Sequence, residues 1–166
     1  MKNFKSLFGT VSLFAIFILL SLACASTKNI STLPETYEEI VDISGTKDAL
    51  YTKANLVFVD IFNNADSVIQ FSDKEAGVMK GKYVSAVSAG VSEYKVYTTV
   101  EVSVKEGKYR IAMTLADVIE TYNAWTGKNT QPRSVSPTDE ILKKMDVEWK
   151  TLTASFKNKM NKDSSW

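Results

Sequence analysis

Residues 94–115 read Tyr94-Lys95-Val96-Tyr97-Thr98-Thr99-Val100-Glu101-Val102-Ser103-Val104-Lys105-Glu106-Gly107-Lys108-Tyr109-Arg110-Ile111-Ala112-Met113-Thr114-Leu115. In an extended chain successive side chains point to opposite faces. Val96, Thr98, Val100, Val102 and Val104 therefore share one side, and Lys95, Tyr97, Thr99, Glu101 and Ser103 the other. Alternation this strict marks an antiparallel strand with one buried and one wet face. Glu106-Gly107 follows, where glycine supplies the positive φ of a tight turn. Tyr109, Ile111, Met113 and Leu115 then resume the inward side, so the stretch reads as a hairpin.

Upstream, the runs 67–71 and 77–87 have the same extended character, and the second arm of the hairpin continues to about Ile119. Before them the period changes from two to 3.6. Leu50, Ala54, Val57, Phe58 and Ile61 fall on one helical face, widened by Leu56, Val59 and Phe62. The helix runs from Lys47 to Asn63-Asn64, and Ser44-Gly45-Thr46 provides its turn and cap. Residues 38–43 alternate weakly and read as a short strand.

Downstream of Glu120 the text turns polar through residues 121–133, a long loop by ordinary standards. Ser136-Pro137-Thr138-Asp139-Glu140 reads as a cap residue, proline at the first helical position and acids in the first turn. The following helix buries Ile141, Leu142, Met145, Trp149, Leu152, Phe156 and Met160, with lysines on its other faces. The order is strand, helix, four antiparallel strands, helix: an α+β domain over residues 37–162 with both helices on one face of the sheet.

The composition narrows the chemistry. The chain has 166 residues, 20 Lys plus Arg against 19 Asp plus Glu, no histidine and one cysteine. A balanced charge lacks the basic excess that phosphate backbones attract, so nucleic acid is not an expected partner. Histidine bases, His-ligated zinc and intramolecular disulfides are excluded by count. Neither phosphate-cradling glycine pattern occurs, and no serine-nucleophile motif is found in the mature chain. Asp73 and Glu75 flank a turn but fall short of the six to eight oxygens that calcium takes, so they read as turn-capping residues. No catalytic residue, metal or cofactor is nominated, and the domain is expected not to be an enzyme.

Residues 1–24 hold Lys2 and Lys5, an apolar run from about Val11 to Leu20, then Ser21-Leu22-Ala23-Cys24, with no acidic residue. This is the layout of an export signal, and its apolar core is too short for a permanent membrane span. The single Cys24 sits where the signal ends and resembles the acylated cysteine of bacterial lipoproteins, although Ser21, not leucine, stands three residues before it. Lipidation at Cys24 would anchor the protein to the envelope membrane. The rival is cleavage after Ala23-Cys24-Ala25, which would release a periplasmic or secreted protein beginning at Ser26. Residues 25–36 are rich in Ser and Thr and read as a tether. Removal of two lysines leaves 18 basic against 19 acidic residues, or −1.

Gly45-Thr46-Lys47-Asp48-Ala49-Leu50-Tyr51, Phe58-Val59, Val68-Ile69-Gln70-Phe71-Ser72-Asp73-Lys74-Glu75-Ala76-Gly77 and Gly81 resemble a bacterial family of unknown function. Its members are described as having a fold like the TATA-box-binding protein and commonly bear export signals. The resemblance spans residues 37–104 by motif and the rest by order of elements. It implies a TBP-like (TATA-box-binding-protein-like) fold and no catalytic role. It does not imply DNA binding, because a fold does not fix function and this domain is slightly acidic.

The outward sheet side is the first candidate surface. It carries Lys80, Lys82, Tyr97, Thr99, Glu101, Arg110, Ala112 and Thr114, of which Tyr97 and Arg110 are types that anchor protein contacts. Tyr122 and Trp125 in the polar loop are the second. The leading expectation is a lipid-anchored, non-enzymatic binding module for an envelope protein or small ligand. Its rivals are an assembly component without a ligand and a hydrolase using carboxylates or serine. A concave patch holding Tyr97 and Arg110 favours binding, and a flat charged face favours scaffolding.

Overall fold

The valine side of the quoted hairpin is the floor of the core in a computed structural model, which describes residues 35–62, 68–126 and 131–162. The signal, Cys24, most of the tether and the Asn63-Asn64 helix end lie outside the described residues. Eight elements follow in order: β1 (Thr36–Asp42), α1 (Lys47–Ile61), β2 (Val68–Asp73), β3 (Val78–Ala89), β4 (Ser92–Lys105), β5 (Lys108–Asn123), β6 (Arg133–Ser134) and α2 (Asp139–Asn161). The strands form one antiparallel sheet in the order β1-β5-β4-β3-β2, with β6 also paired to β5.

Val96, Val100, Val102 and Val104 of β4 are buried, and so are Tyr109, Ile111 and Met113 of β5. Each pairs across the hairpin with a residue of the same side, Val102 with Ile111 and Val104 with Tyr109. Gly107 closes the turn at φ +71, as the glycine predicted. Both helices cover this inner face. The Tyr51 hydroxyl of α1 meets Ser72 Oγ at 2.6 Å, and the Trp149 indole of α2 donates to Thr98 Oγ1 at 3.2 Å. Tyr83 and Ser85 donate to Glu148 Oε1 at 2.8 and 2.9 Å, seating α2 on β3. Burial pushes the Tyr83 hydroxyl up to about 12, so it stays a donor at neutral pH.

Five expectations need correction. Leu56 and Val59 do not widen the buried face of α1: they are 70% and 47% exposed, whereas Phe62 is buried. At 100° per residue Leu56 lies about 160° and Val59 about 140° from the centre of the Leu50–Ala54–Phe58 line, which puts both on the side away from the stripe that meets the sheet. The cap of α2 is Thr138, whose hydroxyl accepts from Ile141 N, so Pro137 precedes the helix instead of opening it. Thr153 is buried in the α2 stripe, where Leu152 is only partly so. The expected loop from residue 121 is shorter, because β5 continues to Asn123 and Glu120 and Ile119 pair with Arg133 and Ser134. Tyr122 is thus a strand residue, and β1 begins at Thr36, one residue inside the expected tether.

Candidate functional site

No described helix lies on the second side of the sheet, and register assigns its rows. Val78, Ser103, Arg110 and Ile40 are successive cross-strand partners. The next row is Phe71, Lys80, Glu101, Ala112 and Glu38, and beyond it lie Lys82, Thr99, Thr114 and Thr36. Tyr97 pairs with Val84 and, across a bulge in β5, with Asp117. Alternation therefore brings Lys82, Tyr97, Thr99, Glu101 and Arg110 to one face, as their spacing predicted.

Arg110 and Glu101 are held in a network. The Arg110 guanidinium binds Glu101 through Nη2 and Glu38 through Nη1, the latter at 3.4 Å. Lys80 Nζ lies 2.7 Å from Glu101 Oε2, and Ser103 Oγ donates to Glu101 Oε1 at 3.2 Å. The Lys80 ammonium beside Glu101 holds its carboxyl below the usual carboxylate range, with Arg110 adding to the effect and burial opposing it. These side chains are oriented before any ligand arrives. Lys82 Nζ stands 5.2 Å from the Tyr97 ring centroid, a cation–π distance that pins both side chains to the face.

Tyr122 lies on the same side, opposite Glu93 near the far end of the hairpin, and Trp125 stands in the turn beyond it with 84% of its surface exposed. Neither adjoins Arg110, so the two candidate surfaces occupy opposite ends of β5. The concave patch that would favour binding is one holding Tyr97 and Arg110 together, and the concavity at the Arg110 end of the face holds Arg110 alone of the two. A concavity of about 400 Å³ is lined by Ile40, Val78, Ser103, Lys105, Lys108 and Arg110, with Ala76, Val104 and Tyr109, but not by Tyr97. Ile40 and Lys108 escaped the sequence reading because only the β1–β5 pairing, some 70 residues apart in sequence, brings them together.

Turn geometry bears out the structural reading of Asp73. Its carboxylate accepts from Ala76 N at 2.9 Å, capping the β2–β3 turn. Among the described residues no group of three or more His, Cys, Asp or Glu could hold a metal ion. None of the helices among them is long and apolar enough to cross a membrane.

Known proteins agree with this architecture. The chain resembles a DUF4468 family protein from Bacteroides ovatus at 14% identity and TM-score 0.57, covering 82% of this chain and 95% of that one. A TBP-like protein from Parabacteroides distasonis aligns at 11% identity and TM-score 0.54, over 74% of this chain and 92% of that one. At such identities the likeness is one of fold. No curated protein matches the chain. Residues 37–117, from β1 to the bulge of β5, match the model of DUF4468, and it is this stretch that belongs to that family, a domain of unknown function with a TBP-like fold.

Proposed function

We propose that this protein is an exported, lipid-anchored, non-enzymatic envelope module that binds a protein or small ligand through the outer face of its sheet. The observation that carries the reading is the asymmetry of the sheet. One face takes both helices, while the other presents a pre-oriented set of Lys82, Tyr97, Glu101 and Arg110 with a concavity beside it. Ordered aromatic and guanidinium groups on a wet face are what contact surfaces use. The address rests on residues 1–24, whose apolar core from about Val11 to Leu20 is followed by Ser21-Leu22-Ala23-Cys24. Acyl chains there would supply the membrane affinity that a mature charge near zero does not.

The test joins mass with crosslinking in the native host. The processed protein is expected to weigh as the chain from Cys24 plus acyl groups and to partition into detergent, and Cys24→Ser should abolish both properties. An unmodified chain beginning at Ser26 would replace the anchor with a free exported protein. For the face, a photocrosslinker at Thr99 is expected to give a discrete adduct in cells that Tyr97→Ala removes. Its absence, with the fold intact by circular dichroism, would favour the assembly reading in which this face contacts no ligand.

A further inference from the structure

We infer that the concavity at the turn end of the β4–β5 hairpin is a binding site for a small amphipathic carboxylate. This rests on the reading of the outer face as the contact surface and narrows it to one end and one ligand class. Two rows of side chains build the site. The first is Val78, Ser103, Arg110 and Ile40, consecutive partners across four strands. Arg110 is drawn towards the neighbouring row by Glu101 and Glu38, which leaves the aliphatic groups of Val78 and Ile40 as the floor. Ile40 is 62% exposed, so its aliphatic surface is open to a ligand beside Val78.

The second row sets Lys105 directly opposite Lys108, with Asp42 on the far side of Lys108. Like charges facing each other across a strand pair repel. No ion pair among the described residues relieves them. Asp42 makes none with Lys108, and Glu106 of the same turn accepts from Lys47 N at 3.0 Å, at the start of α1. Two lysines and Asp42 leave the row one positive charge in excess, which one anionic group between the ammoniums would neutralise. The apolar floor beside that cation pair gives the ligand its second property, an aliphatic tail. A volume of about 400 Å³ lies within the size of small-molecule pockets, roughly 300–1,000 Å³.

Amide-resolved NMR titration of the full chain carrying Cys24→Ser, which has no acyl group of its own to compete, provides the test. Octanoate is the probe, with octanol and acetate as the neutral and tail-less comparators. Octanoate is expected to shift the amides of residues 40, 78 and 103–110 with a Kd on the order of 1 mM or tighter, as suits a ligand of about ten heavy atoms. Octanol and acetate should each bind about tenfold more weakly. Lys105→Ser with Lys108→Ser should weaken octanoate by about tenfold without lowering Tm, since it removes a repulsive pair. Ile40→Thr should weaken octanoate and octanol together.

Octanol binding as tightly as octanoate, shifts confined to other residues, or a lysine double variant that binds octanoate unchanged would each overturn the assignment. A Thr99 adduct in cells together with no octanoate binding by the Cys24→Ser chain would sink this site and leave the broader reading of the face standing.

Discussion

Gly77 sits at φ +72 in the turn between β2 and β3, and a β-carbon there would lie 2.6 Å from the Val104 carbonyl oxygen and 2.8 Å from Lys47 Cε. Its own carbonyl accepts from Val104 N at 2.7 Å, so the turn is clasped against β4 and cannot move aside to make room. Gly77→Ala therefore combines backbone strain with a clash on main-chain atoms, and the expected loss is on the order of 2–3 kcal/mol. Gly90, at φ +57 with nothing within 4 Å of its β-carbon position, supplies the comparison. Gly90→Ala should cost about 1 kcal/mol, the strain alone. Urea midpoints of the two variants measure the difference. That a glycine belonged in this turn was legible in the sequence. That Val104, 27 positions later, forbids any side chain was not, because β3–β4 pairing creates the contact.

At the scale of an element, the two helices were legible to different degrees. The stripe of α2 emerged nearly whole, since Ile141, Met145, Trp149, Phe156 and Met160 recur at helical spacing and all lie buried against the sheet. α1 is apolar on more than one side, so periodicity overstated its buried face. Tertiary packing made the choice, burying Phe58 to 2% exposure while leaving Leu56 70% exposed. Phe58→Ala is accordingly expected to cost about 3–5 kcal/mol through the cavity it leaves beside the Phe62 ring, whose centroid is 4.8 Å away. Leu56→Lys should change stability by no more than about 0.5 kcal/mol. Thermal unfolding of the two variants separates the reading with Leu56 in the core from the one with Leu56 in water.

Over the whole molecule, Glu120 closes the far end of the sheet. Its buried carboxylate accepts from Ser92 Oγ at 2.8 Å, Asn123 Nδ2 at 3.0 Å and Arg133 Nε at 2.9 Å, joining β4, β5 and β6. The Arg133 guanidinium holds this carboxyl below its usual 4.5, with Ser92 and Asn123 adding to the effect against burial. A lowered folded-state value means the stabilisation is full above the unfolded value and drains away as pH falls below 4.5 through the lower folded value. Glu120→Gln is expected to flatten the loss of stability as pH falls below about 4.5, read as Tm against pH. The hairpin, the strand–helix order and the chemistries excluded by zero histidine and one cysteine were determined by the sequence alone, because alternation, 3.6-residue periodicity and composition are local properties. The proposed export and acyl anchor rest on residues 1–24 by the same local logic, and the mass of the processed chain tests them. Only the tertiary structure decided the β1–β5–β4–β3–β2 order, the Glu120 closure and the row of Val78, Ser103, Arg110 and Ile40. Each depends on strands distant in sequence meeting in a fixed register, and a single chain pattern encodes which side a residue faces but not which neighbour it meets there.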